Sequence, residues 1–244
     1  MYISCVVSLL FILETLSLIL ISTGYNKQQY ELKSTEVINL DTQVSQVPSY
    51  QNHLNSLFAA TGGWVGNKFI VCGGLLQYNT ADISKECYII GKETTVKHGD
   101  MMEKRAFAAS IVLDESLWIL GGKGSPTTSE FFFANDGSSK EGPALPIGIH
   151  RTAAIKINTT TSMLISGYCS SGNCAKTYFY LHESSQWING PDLIQFRNRH
   201  SACLIKDSVT QESFIVVTGG IAAGDILDSV EILNIHGPQW TSGN

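Results

Sequence analysis

An all-β fold built from one repeated unit is what this sequence predicts, and three observations carry that expectation. The apolar runs "FIVCGG" at 69–74, "LWILGG" at 117–122 and "FIVVTGG" at 214–220 each stop on two glycines. Counted from the first glycine, 73 to 121 is 48 residues, a degenerate "SG" at 166 comes 45 later, and the pair at 219 follows after 53. On either side of each run lie short β-rich stretches joined by polar turns of Asn, Asp, Gly or Ser. A period near 50 residues is too long for leucine-rich or ankyrin repeats and falls where the four-stranded blades of a β-propeller are found.

Composition agrees with a folded protein of that size. The chain has 244 residues, 43% of them hydrophobic, which is enough for a substantial core. Only 15% are charged, the formal net charge is -5, and no Lys/Arg block stands anywhere. A nucleic-acid-binding surface is thereby excluded as a function class.

In chain order, the first segment obeys a different rule. "ISCVVSLLFILETLSLILIST" is apolar with the single interruption of Glu14, and Ser22 and Gly24 place small residues just before Tyr25. This predicts a secretory signal peptide over 1–24. The alternative is an uncleaved signal anchor, because the amino end carries no Lys or Arg and the stretch is long enough to span a bilayer. A buried soluble helix would show a polar face, which this segment lacks. Residues 25–33 then form a short linker, and the repeats occupy 34–244.

Within the repeats, outer hairpins are expected at "STEVINLDTQVSQV" from 34, "SKECYIIGKETTVKHGDM" from 84, "TSEFFFANDGSSKEGPAL" from 128, "AKTYFYLHESSQWINGPDL" from 175 and "DSVEILNIHGPQW" near the end. Inner hairpins are expected from 56, 105, 151 and 199, with Ala and Ser at the opening of the first strand and an apolar second strand that runs into the glycines. Small residues suit strands near a propeller axis, where bulky side chains would collide. Five outer hairpins against four inner ones predict about five blades with one inner hairpin missing; its strands are expected beyond residue 244.

The double glycines Gly73 and Gly74, Gly121 and Gly122, and Gly219 and Gly220, with Gly167 after Ser166, together with the aromatic pair Tyr180 and Trp187, are similar to the kelch repeat. Trp240 fits the same pattern with Leu233 in the tyrosine position. The resemblance covers 34–244 and implies a kelch-type β-propeller of four-stranded blades. It also implies that first and last blades share strands from both ends of the chain. In intracellular kelch adaptors, arginines on one face hold acidic peptide segments.

Six cysteines are present, and removal of a signal peptide takes Cys5 and leaves five. Cys169 and Cys174 flank "SSGN", a turn that can close on itself as a disulfide, while Cys72 and Cys87 lie on consecutive expected strands, open to pairing or to burial as thiols. No second closely spaced Cys or His pair accompanies them, so no zinc site is predicted. "NTT" at Asn158 is an N-glycosylation acceptor in an expected turn. Both features fit a secreted, extracellular protein, with the membrane involved only if the first segment stays as an anchor.

The six histidines form no close pair and have no companion carboxylate cluster. No catalytic constellation, metal site or cofactor follows from the sequence. The chain has only four arginines, Arg105, Arg151, Arg197 and Arg199, and all stand just ahead of inner strands, with His150 and His200 beside them. Such approaches share one end of a propeller, where guanidinium groups suit an acidic protein partner; the competing reading is that the arginines tie neighbouring blades together. At the level of function, the expectation is a non-catalytic protein-interaction module. The alternative is an extracellular propeller enzyme, galactose-oxidase-like or glycan-processing.

Overall fold

The computed structural model describes residues 58–76, 82–91 and 95–243, with Asn173 by its backbone alone, together with the backbone of four earlier strands. Every regular element among them is a β-strand, and the strands form antiparallel sheets in simple chain order. The first sheet holds Phe11–Ile12, Leu18–Gly24, Leu32–Asn39 and Val44–Gln46; the second Thr61–Val65, Lys68–Cys72, Glu86–Ile90 and Thr95–Asp100. A third follows with Ala109–Val112, Ser116–Leu120, Ser129–Phe133 and Ser139–Glu141. The fourth has Ile149–His150 and Ala153–Lys156 side by side on Thr161–Cys169, then Gly172–Leu181 and Gln186–Asn189. The fifth has Ser201–Lys206, Ser213–Thr218, Val230–Asn234 and Thr241–Gly243, with a short hairpin of Ile221–Ala222 and Asp225–Ile226 beside it.

The hairpins read from the sequence are therefore present, and the inner pair missing from the count is found at the amino end. Leu18–Gly24 pairs with Leu32–Asn39, and Phe11–Ile12 pairs with Leu18–Gly24. The described part of the segment expected to be a signal peptide thus lies inside a sheet, and the rest of 1–24 falls outside the described residues. The physical reason is visible in "LILISTG": a run apolar at consecutive positions suits a strand covered on both faces as well as it suits a bilayer.

Successive sheets pack face to face through alternating side chains. Ile70, Cys72 and Cys87 of the second sheet bury against Leu117, Ile119 and Phe132 of the third. Ile111, Trp118 and Leu120 of the third bury against Leu164 and Tyr180 of the fourth, where Trp187 joins the aromatic cluster 4.9 Å from Tyr180. Ile155, Met163 and Ile165 of the fourth bury against Ile215, Val217, Leu233 and Trp240 of the fifth. The first strands Thr61–Val65, Ala109–Val112, Ala153–Lys156 and Ser201–Lys206 touch one another in that order, so the sheets converge along one line.

The glycine pairs are the joints between sheets. Gly74 N–H donates to the carbonyl of Arg105 (2.8 Å) and Gly122 N–H to that of Ile149 (2.9 Å), each on the approach to the next sheet. Gly73 and Gly121 adopt φ of 69° and 62°, and a Cβ on either would collide with those same carbonyl oxygens. At the degenerate repeat, Ser166 keeps the left-handed φ of 48° and its hydroxyl makes the joint instead, donating to the Arg197 carbonyl at 2.8 Å. A local shift of register between Ile165 and Gly167 accommodates it.

Both cysteine pairs are disulfides. Cys72 and Cys87 are directly opposed in register on neighbouring strands, and Cys169 and Cys174 close the tip of the hairpin that joins Thr161–Cys169 to Gly172–Leu181. Cys203 is a free, exposed thiol.

Candidate functional site

Where the first strands converge, one residue per sheet adopts the left-handed conformation: Ala59 (φ 62°), Phe107 (58°), Arg151 (55°) and Arg199 (56°). A relay of backbone hydrogen bonds fixes them. Phe107 N–H donates to Ala59 O at 2.8 Å, Arg151 N–H to Phe107 O at 2.8 Å, and Arg199 N–H to Arg151 O at 3.0 Å. Conformations that cost non-glycine residues roughly 1–2 kcal/mol each are held by this relay. Their side chains are thereby delivered to one place.

Phe107 forms the floor of that place. The Arg151 guanidinium carbon lies 5.0 Å from the ring centroid and that of Arg199 5.8 Å, both within cation–π range. Phe58 supports the ring edge-on at 5.5 Å. His150 stacks on Tyr168 at 5.1 Å and stands 6.5 Å from Phe107. Tyr168 belongs to the hairpin clamped by Cys169 and Cys174 and lies opposite His150 in register.

The charge balance here is one-sided. Neither Arg151 nor Arg199 has a carboxylate partner among the described residues, and the Nε of each is buried without a hydrogen bond. Burial first, and the adjacent Arg199 second, hold the Arg151 guanidinium below its ordinary basicity. The same forces act on His150: burial, then Arg151, Lys123 and Arg199, push it down to about 4, so its ring is neutral and its buried Nδ1 has no partner. Two like charges, a neutral imidazole and aromatic rings form a cluster of chemistry suited to an anion.

Arg105 and Arg197 do not share that place, and the expectation that they would is corrected. They are 1% and 0% exposed. Arg105 binds Glu130 at 2.7 Å and the carbonyls of Gly121, Ser125 and Thr128; Arg197 binds Glu231 at 2.7 Å and the carbonyls of Gly219 and Ser229. Each carboxylate also accepts two backbone N–H groups just ahead of its arginine, Met102 and Glu103 on Glu130, Ile194 and Gln195 on Glu231. These are buried ties within one sheet, each closed by a carboxylate, although the Nε of Arg197 has no hydrogen bond. His200 is likewise interior: its Nε2 meets the Ile165 carbonyl at 3.1 Å, and burial, then Arg197, lowers it to about 4.

The repeat glycines Gly73, Gly74, Gly121, Gly122, Gly167, Gly219 and Gly220 all have positive φ, as their role at the joints requires. Asn158 is exposed in the turn after Ala153–Lys156, with its Oδ1 accepting from both the N–H and the hydroxyl of Thr160 at 2.9 Å. Since that strand begins beside Arg151, the acceptor sits at its far end, away from the arginine cluster. Among the described residues no three His, Cys, Asp or Glu side chains converge as metal ligands. Sequence reasoning missed Phe107 and Tyr168, although an alignment of "RAF", "IHR" and "RNR" at 105, 149 and 197 would have put Phe107, Arg151 and Arg199 in one column.

No protein-family model and no curated protein matches the chain. Among solved structures, that of YjhT is similar over 96% of this chain and 83% of its own, with a TM-score of 0.74 and 12% identity. At that identity the likeness is one of fold alone.

Proposed function

We propose that the sheets are blades of a kelch-type β-propeller and that the chain is a non-catalytic interaction module, binding an acidic segment of a partner protein at the mouth formed by Phe107, Arg151, Arg199, His150 and Tyr168. One observation carries the reading: two guanidinium groups over one aromatic ring with no carboxylate beside them. Their mutual repulsion costs free energy in the empty protein, and a bound carboxylate relieves it. A planar fork accepts a carboxylate through two parallel N–H donors, and each such charged bond contributes roughly 1.5–3 kcal/mol. The neutral His150 adds a further hydrogen-bonding group.

An extracellular or luminal setting belongs to the same proposal, supported by the two disulfides. The test is fluorescence anisotropy of a labelled oligoglutamate peptide on the full chain. Arg151→Met and Arg199→Met each lower affinity roughly tenfold to a hundredfold, binding weakens with salt, and a matched oligolysine peptide does not bind. Equal binding of the two peptides, or variants that bind oligoglutamate as the natural protein does, refutes the reading.

A further inference from the structure

His150 stands where three sheets meet, and the charged groups that act on it are all cations. In the second to fifth sheets the residue after the glycine pair is paired with the one just ahead of the left-handed position: Leu75 with Phe58, Lys123 with Ala106, Tyr168 with His150 and Ile221 with Asn198. Lys123 is held there by two backbone hydrogen bonds with Ala106, at 2.7 and 3.0 Å. The preceding Gly122 donates its N–H to the Ile149 carbonyl, which brings this turn beside His150. His150 thus faces Lys123 and the ring of Phe107 from the third sheet, Arg151 and Tyr168 from its own, and Arg199 from the fifth. Among the described residues no carboxylate pairs with Lys123, Arg151 or Arg199.

An imidazole so placed stays neutral for two reasons. Half-burial strips water from an imidazolium, and three positive neighbours repel one, so the ring takes a proton only at about 4, against an ordinary 6.5. Its buried Nδ1 finds no partner in the fold. A carboxylate on Arg151 and Arg199 reverses that balance. It would lie by Phe107, whose ring centroid is 6.5 Å from that of His150, and there it both offsets the guanidinium charges and adds a negative charge near the ring.

Resting on the reading of the mouth as a site for an acidic segment, we propose that it takes up a carboxylate and a proton together, the carboxylate on Arg151 and Arg199 and the proton, from solvent, on the His150 ring. The bound form holds that proton more tightly than the free form. Affinity therefore gains as pH falls through the value of the bound ring and levels off below that of the free ring. Lys123 belongs to the same device, because its charge helps to keep the empty site unprotonated.

Two measurements on the full chain test the coupling. Anisotropy titrations with the labelled oligoglutamate peptide, run from about pH 7.5 to about pH 5.5 at constant low ionic strength, are expected to show roughly tenfold tighter binding at the acid end, the gain that follows when the bound ring returns to its ordinary value. Calorimetric titrations at about pH 5.5 in buffers of different ionisation enthalpy are expected to show uptake of about one proton per bound peptide. His150→Gln is expected to take up almost none and to bind with one affinity across the range. An affinity that does not rise toward the acid end, or a rise and a proton uptake that persist in His150→Gln, overturns the inference and leaves the reading of the mouth in place. No binding at any pH overturns that reading, and this inference with it.

Discussion

Arg197 and Arg199 lie two residues apart on the approach to the same sheet, one 0% exposed and bound to Glu231, the other half-buried over Phe107 with no carboxylate in reach. Arg105 and Arg151 repeat the contrast two sheets and one sheet earlier, respectively. The difference comes from backbone. At Arg105 and Arg197 the first position of the approach triplet points into the loop that carries the glycine pair, where carbonyls and a third-strand Glu await it; the third position takes a left-handed φ and turns its side chain to the line where sheets converge. Charge that is paired with a buried carboxylate holds the fold, and charge without one is what the proposed function assigns to a ligand.

The largest test of that contrast is stability. Arg197→Met strands the Glu231 carboxylate in the interior and is expected to cost about 3–5 kcal/mol in urea unfolding, with Arg105→Met doing the same through Glu130. The double variant Arg197→Met/Glu231→Leu recovers part of the loss, because it removes the stranded carboxylate but leaves the Ile194 and Gln195 N–H groups and the Gly219 and Ser229 carbonyls without these partners. Arg199→Met, two residues on, is expected to change stability by less than about 0.5 kcal/mol. Equal losses at 197 and 199 would break the comparison.

A smaller effect comes from pH. His200 is held down to about 4 by burial and by Arg197, against an ordinary value of 6.5. Between those values the unfolded chain binds a proton that the folded one refuses, so stability is fully present above about 6.5 and falls as pH drops toward 4, by on the order of 3 kcal/mol. His200→Gln is expected to make that fall shallower, with the share of His150 remaining, read from urea midpoints at a series of pH values. A profile unchanged by the substitution would mean that His200 is not protected as the fold implies.

Much of this was legible from residues alone. The glycine pairs, the hairpins around them and the five outer strand pairs follow from local chemistry, since turns and alternation are written within a few residues. The inner hairpin at 11–24 was obscured because an apolar run satisfies a bilayer and a doubly covered strand equally. The arginines were seen as one group because their partners are distant in sequence: Glu130 is 25 residues after Arg105, and Glu231 is 34 after Arg197. A signal was available, for the fourth sheet has Ile149 in the arginine position and Tyr178, opposite Leu164, in the glutamate position, so the charged pair is lost as a pair. Phe107 is legible only by its column with Arg151 and Arg199, since nothing in a lone phenylalanine announces the left-handed backbone that aims it.

The central claim, that two of four arginines are open to an anion and two are not, is tested most directly by the arginine Nε–Hε resonances of the full chain during titration with oligoglutamate. Four arginines give four signals, assigned through single Arg→Lys variants. The account predicts that the signals of Arg151 and Arg199 shift and saturate together while those of Arg105 and Arg197 stay in place and exchange slowly with solvent. Movement of the Arg105 or Arg197 signal, or silence from all four, would contradict it.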